Sequence, residues 1–338
     1  MSTAITVVDY RPAPDLDAEL ADLAYAAVHG WPDQRPYTAA FLRSRLRPLG
    51  MTATTLVLGR EPDGRLVAAA ALRWPATLED TGRLFGPVVH PDARRAGVGR
   101  DMLATVIDVI AARPGVRVTT IAVPELRTVG WSLFESAGWT PVRISVLLQR
   151  DLPAEILLTT VPVRAPHPGE YLDPAITALV ASARPELGYA AARDTLAQWR
   201  DDTRYTPDGL LLVDGPDGLV GAALVYPLAH AEIDEPPGLR VSAGAAGEPP
   251  EARLEELLIA RHLDAELATQ VRAALVAAAL HVGAAAGAKV ARAVVHEPDL
   301  AATLQAAGFE VVDRIRYYNP PVGGPAYAAS GSTAAAGV

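Results

Sequence analysis

Residues Val88-Val89-His90-Pro91-Asp92-Ala93-Arg94-Arg95-Ala96-Gly97-Val98-Gly99-Arg100-Asp101-Met102-Leu103 restrict the chain to folds that carry a strand, a tight turn and a helix in direct succession. The apolar pair before His90 ends a strand, and Met102 and Leu103 open an amphipathic helix. Glycines two apart let the backbone turn sharply and bring N–H groups close to a ligand. The helix start adds unpaired donors and the positive end of its dipole. With Arg94, Arg95 and Arg100 in the same few residues, this stretch is an anion site suited to a pyrophosphate. It has neither the Gly-x-Gly-x-x-Gly spacing of dinucleotide folds nor the Gly-Lys-Ser/Thr ending of a P-loop.

The residues before it read as strand Ile5 to Tyr10, helices Leu16 to Val28 and Tyr37 to Leu46, and strands Thr54 to Gly59 and Leu66 to Arg73. Glu61-Pro62-Asp63-Gly64 marks the turn between those two strands. Leu84 to Val89 is the fourth strand and Asp101 to Ala112 the following helix. Strand Val116 to Val123, helix Val129 to Ala137 and strand Val142 to Gln149 complete an order β-α-α-β-β-β-α-β-α-β.

In that order, Arg94-x-x-Gly97-x-Gly99 resembles the acyl-CoA pyrophosphate loop of the GCN5-related N-acetyltransferases (GNAT). The segment Trp131-Ser132-Leu133-Phe134-Glu135-Ser136-Ala137-Gly138-Trp139 resembles the same family, which often carries an aromatic shortly before an Ala-Gly-aromatic ending. The resemblance implies an α/β fold with a mixed sheet, here as two tandem GNAT domains, because the second half repeats the plan. Leu210 to Val213 and Leu219 to Tyr226 flank a second turn. Glu255 to Ala260, Thr269 to Ala286 and Lys289 to Val295 follow as strand, helix and strand. Thr303 to Phe309 echoes the earlier ending, and Glu310 to Tyr318 is a last strand. The expected division is residues 1–150 with the intact loop, 158–320 as a degenerate copy, and 321–338 as a disordered tail. Pro236 to Pro250 reads as a flexible insertion. In the second copy Arg261 to Ala268 replaces the glycine loop, and Asp264 and Glu266 are expected to face, and repel, a diphosphate.

Composition narrows the partners. The 338 residues lack Cys, which excludes disulfides and thiolate chemistry, and the seven His show no short ligand spacing, so no metal is expected. A formal net charge of −9 without a basic run disfavours nucleic acid. The apolar stretch Val271 to Ala288 is broken by Arg272, His281 and glycines, so no membrane span is expected. No signal peptide is apparent, and a cytoplasmic location is expected. The oligomeric state is unknown from sequence.

The resemblance further implies acetyl-CoA or another acyl-CoA as cosubstrate. Pro87, Val88 and Val89 would meet the pantetheine arm. Backbone N–H groups from Arg95, Ala96, Gly97, Val98, Gly99 and Arg100, with Arg94, would hold the pyrophosphate. Pro87 has no N–H to donate. The implied reaction is N-acetyl transfer to a small-molecule amine in a ternary complex, with the first domain catalytic and the second structural or acceptor-shaping. Many family members have a Tyr acid where Phe134 stands, so Ser132 becomes a candidate for protonating the sulfur. Glu125 and His90 are candidate bases, with Glu79 and Asp80 as further carboxylates. Trp31, Asp33, Tyr37 and Phe41 are available for acceptor selectivity, with Tyr189, Trp199 and Tyr205 in the equivalent region of the second copy. Two other readings stay open: an acyl-CoA-binding or interaction protein without chemistry, and a protein N-acetyltransferase.

Overall fold

The computed structural model describes residues 3–29, 38–46, 51–75, 81–113, 117–120, 123–125, 128–153, 159–185, 188–202, 204–228 and 250–321. The first repeat runs β1 (Ala4–Asp9), α1 (Pro14–Val28), α2 (Ala39–Leu46), β2 (Met51–Arg60), β3 (Leu66–Pro75), β4 (Thr81–Val89), α3 (Val98–Ala111), β5 (Arg117–Thr120), β6 (Val123–Pro124), α4 (Thr128–Ser136) and β7 (Thr140–Asp151). The second runs α5 (Asp173–Ala183), α6 (Gly188–Arg200), β8 (Leu210–Gly215), β9 (Gly218–Tyr226), β10 (Glu251–Ile259), α7 (Ala265–Ala285), β11 (Val290–Val295), α8 (Pro298–Ala306) and β12 (Glu310–Asn319). Apart from the two-residue β6, the α-α-β-β-β-α-β-α-β succession thus occurs twice. Where β1 pairs with β2, the second repeat has, among the described residues, only an isolated antiparallel bridge from Arg164 to Leu212.

Local chemistry accounts for the elements that frame the loop. Pro14 and the acidic Asp15 and Asp17 start α1, and Leu20, Leu23, Ala24 and Ala27 turn one face inward. In α3, Met102, Leu103, Val106 and Ile110 are buried at helical spacing. They pack on the sheet with Val57, Leu72 and Leu84. The other face of the same sheet holds α1 and α2 through Leu20, Leu23, Leu46, Leu56 and Leu58.

The sheets do not divide the chain where its sequence divides. One sheet has the order β1-β2-β3-β4-β5, and the other β6-β12-β7-β11-β10-β9-β8. The closing strand of the first repeat, β7, lies antiparallel to β11 of the second, from Val290↔Asp151 to Val295↔Val146. The closing strand of the second repeat, β12, inserts between β7 and β6 and packs beside β5. A division at residue 150 therefore follows the sequence repeat, while β7 and β12 each serve the other repeat. The cores record the exchange: Leu148 of β7 is buried among second-repeat residues, and Tyr318 of β12 among first-repeat residues.

The helix α7 is long and apolar enough to cross a membrane by composition. Val271, Leu275, Val276 and Leu280 on it are nevertheless buried in the second core, the role of an interior helix in a globular fold. Residues 229–249 and 322–338, which include nearly all of the expected insertion and tail, lie outside the described residues.

Candidate functional site

Strand β4 carries the site because its two neighbours treat it differently. It pairs with β5 in parallel only from Thr81↔Arg117 to Leu84↔Thr120. Beyond Leu84, among the described residues, β4 has β3 on one side and an open edge on the other. Its register with β3 also breaks there, since Phe85 pairs with Ala71 and Val88 with Ala69, leaving Gly86 and Pro87 opposite the single Ala70. Gly86 takes φ +82, and a Cβ on it would lie 2.8 Å from both the Ala69 carbonyl oxygen and the Val88 nitrogen. Only glycine fits that position.

Past the bulge the His90 N–H donates to the Val67 carbonyl at 2.8 Å. Alternation along an antiparallel pair then turns Val88 toward β3 and Val89 toward the open edge. Of the three strand residues expected at the pantetheine arm, Val88 is thus engaged with β3 and Pro87 has no donor. The Val89 carbonyl accepts from Arg94 Nε at 3.1 Å, so Val89 offers its N–H alone.

The loop that follows is built to present backbone. His90 Nδ1 accepts the Asp92 N–H at 3.3 Å and caps the short 3-10 turn Pro91–Ala93. Arg95 (φ +65) and Gly97 (φ +88) are both left-handed. The first intrahelical bonds run from the Arg100 and Asp101 N–H groups to the Gly97 carbonyl, at 2.9 and 3.1 Å. Among the described residues, the N–H groups of Arg95, Ala96, Gly97, Val98 and Gly99 have no acceptor. Five consecutive free donors at a helix start make an anion cradle. A Cβ at Gly99 would lie 3.2 Å from Leu133 Cδ2 of α4, so a side chain there would push that leucine aside.

Arginine roles within the loop differ from the expectation. The Arg94 guanidinium donates to the carbonyls of Val89 and, at 2.9 Å, of Ala27 at the end of α1. It ties the loop to the first helix, so its contribution to an anion is through position. Arg95 and Arg100 are exposed and make no ion pair among the described residues, which leaves their charge to the ligand.

The second repeat supplies an internal comparison. The Ala260 N–H donates to the Val220 carbonyl at 2.9 Å, as His90 does to Val67, and Arg261 Nε reaches the Ala183 carbonyl at the end of α5, as Arg94 reaches Ala27. Both copies therefore keep the arginine tether. Asp264 stands three residues after that arginine, where Gly97 stands after Arg94. Its carboxylate accepts the Leu267 N–H at 2.8 Å and caps α7. The expectation that Asp264 faces a diphosphate is corrected to this extent: it engages the helix N-terminus itself. Strand β10 also parts from β11 after Leu254↔Ala293. On β10, Arg184 of the α5 end engages Glu256 with both guanidinium nitrogens. Burial pushes the Glu256 carboxyl above its ordinary value, against the pull of Arg184.

The candidate acid–base groups are dispersed. Glu125 is exposed enough to pair with Arg314 of β12 at 3.3 Å. His90 is spent as the turn cap through Nδ1. Ser132 lies on the exposed face of α4. No hydrogen bond joins these three among the described residues. Phe134 is buried, edge-on to Trp139 at 5.2 Å and stacked on Tyr318 at 5.3 Å. The Tyr318 hydroxyl donates to Glu135 at 3.0 Å, away from any role at Phe134. Trp31, Asp33, Tyr37, Glu79 and Asp80 lie outside the described residues, as does the side chain of Phe41. Trp199 is core, Tyr205 packs against it and Tyr189 is exposed. Among the described residues no His, Asp or Glu cluster could hold a metal. Sequence reading also passed over a buried Asp17 that accepts Tyr10 Oη at 2.7 Å and Arg43 Nε at 2.8 Å. Its only signal was a carboxylate at an inward helical position.

The open β4 edge, the bulge and the donor loop coincide with a family pattern: residues 19–139 match the Acetyltransferase (GNAT) family model. Residues 19–139 are a GNAT domain. The whole chain has the fold of tandem GNAT proteins. It superposes on a tandem GNAT protein from the clavulanic acid biosynthesis pathway with TM-score 0.68 and 17% identity, covering 94% of this chain and 98% of that one. A GCN5-related N-acetyltransferase from Sphaerobacter thermophilus superposes with TM-score 0.63 and 19% identity, covering 94% and 97%. In sequence, the chain is 29% identical over 203 residues to the mycothiol acetyltransferase of Frankia casuarinae. That alignment covers 58% of this chain and 56% of the relative, so the chain matches little more than half the relative's length.

Proposed function

We propose that the protein is an acyl-CoA-dependent N-acyltransferase acting on a small-molecule amine, with one donor site, in the first repeat. The observation that carries this reading is the run of five unpartnered N–H groups from Arg95 to Gly99 beside the open edge of β4. The diphosphate takes the loop donors, with Arg95 and Arg100 adding charge. The pantetheine arm runs along β4, where the Val89 N–H is available.

In the reaction the amine nitrogen attacks the thioester carbonyl, the C–S bond breaks and an amide forms. The amine releases a proton to a base, and the thiolate leaves as the anion or takes a proton from solvent. Phe134 cannot supply that proton. Glu125 keeps the role of candidate base through water, and His90 and Ser132 remain candidates for smaller proton-transfer roles. The relative named a mycothiol acetyltransferase supports a small acceptor over a protein. A cytoplasmic location is part of the same reading.

The second repeat is proposed to bind no CoA, because Asp264 puts a carboxylate at the helix start and Glu266 adds another beside it. Thiol release from acetyl-CoA over a panel of small amines tests the activity. Turnover of at least one amine supports it. CoA binding without turnover of any amine supports the second reading, a binding protein without chemistry, which buried Phe134 favours.

A further inference from the structure

From the face of the first sheet opposite α3, a row of cationic and aromatic side chains runs from β3 and β4 to β12 and β7 of the second sheet. Arg73 of β3 and Arg83 of β4 are register partners. The Arg73 guanidinium lies 4.2 Å over the Phe85 ring, so Phe85 shares that face. Farther along the row, Tyr317 of β12 is the register partner of Arg143 of β7, whose guanidinium sits 3.9 Å over the Tyr317 ring. Strand β12 packs beside β5, which closes the gap between the pairs. Arg83 is exposed on this face, and desolvation by the protein around it, with Arg143 adding to the effect, lowers its guanidinium from the ordinary value.

Neighbouring guanidiniums repel one another, and a fold ordinarily sets a carboxylate between them. Among the described residues neither Arg83 nor Arg143 has a carboxylate partner. Arginine forks and a phenol hydroxyl are donors matched to a planar or tetrahedral oxyanion. The row also lies at a useful distance from the proposed chemistry. Arg83 is three residues from the bulge at Gly86, about 10 Å along an extended strand. An arginine side chain and a small acceptor span that length.

We propose that Arg83, Arg143 and Tyr317 form an oxyanion subsite that holds a carboxylate or phosphate borne by the acceptor amine. This deepens the acyltransferase reading and rests on it for the word acceptor. It also gives the strand exchange a purpose, since Tyr317 of the second repeat comes beside the first repeat's β5 only because β12 inserts between β7 and β6.

Calorimetric titration of the full-length protein with succinate, succinamide and inorganic phosphate tests the subsite without needing turnover. Succinate or phosphate binding, with no heat from succinamide, is expected, and the ratio of the two affinities separates carboxylate from phosphate recognition. Arg83→Gln with Arg143→Gln is expected to weaken that binding at least tenfold while CoA affinity and the melting temperature stay at wild-type values. Equal binding by wild type and the double variant overturns the proposal. So does an absence of anion binding in wild type that appears on Glu79→Gln with Asp80→Asn, which would make those carboxylates the native occupants. Because CoA is titrated separately, loss of the donor-site reading and loss of this one give different results.

Discussion

The ring of Tyr318 lies nearly parallel to that of Phe134, 13° between planes and 5.3 Å between centroids, although the two residues belong to different repeats. Phe134 sits on α4 of the first repeat, and Tyr318 on the last strand of the second. Trp139 closes the cluster edge-on, and the Tyr318 hydroxyl and Arg316 both reach Glu135, at 3.0 and 2.9 Å. The second repeat thus completes the core that backs the donor loop.

Tyr318→Ala should destabilise the protein by about 3–5 kcal/mol, the usual cost of emptying a buried aromatic site. Because the ring belongs to the first repeat's core, the loss should appear in the unfolding of that repeat. Hydrogen exchange across α3 and α4 in the variant would show it. Tyr318→Phe should cost only about 0.5–1.5 kcal/mol, the worth of one hydrogen bond.

How much of this was legible beforehand depended on the kind of signal. The donor loop was, because Arg94, Gly97 and Gly99 stand at fixed spacing within one turn of chain. The repeat was too, since two hairpins and two Ala-Gly-aromatic endings recur in order. The exchange of β7 and β12 was not. An alternating apolar pattern in Val142 to Gln149 says that a strand has a buried face, and nothing about which sheet accepts it. The tether role of Arg94 was equally hidden, because its partner at Ala27 lies 67 residues away and is a backbone carbonyl. The charges along the chain likewise could not place Arg83 beside Arg143, which come together through the β4–β5 and β12–β7 pairings and the packing of β12 beside β5.

Arg94 and its neighbours should separate by salt dependence. Arg94→Gln removes a tether to two carbonyls, so CoA affinity should fall by a similar factor at low and high salt. Arg95→Gln with Arg100→Gln removes exposed charge, and its effect should shrink as salt rises. Affinity measured at several ionic strengths distinguishes the two.

Glu170 gives the second repeat an acid-sensitive clasp. Arg164 holds Glu170 at 2.9 Å and Asp214 at 2.5 Å, next to the bridge that replaces a full first strand. The Arg164 hydrogen bond, with that of the His167 N–H, lowers the Glu170 carboxyl to about 2. The folded value lies below the unfolded one, so the clasp contributes fully above the ordinary carboxylate range, near 4.5, and is lost as pH falls toward 2. Melting temperature against pH should drop over that interval in wild type, and Glu170→Gln should flatten part of the drop.

Asp264→Ala removes the α7 cap and should cost about 0.5–2 kcal/mol, read as a shift in the denaturation midpoint. CoA affinity should not change, since the second loop is proposed to hold no donor.

CoA titration by calorimetry on wild type and on Gly97→Glu with Gly99→Glu tests the account most directly. One CoA per chain in wild type and none in the double variant, with an unchanged far-UV spectrum, is the predicted result. Two CoA per chain, or one still bound after both glycines are replaced, would contradict it.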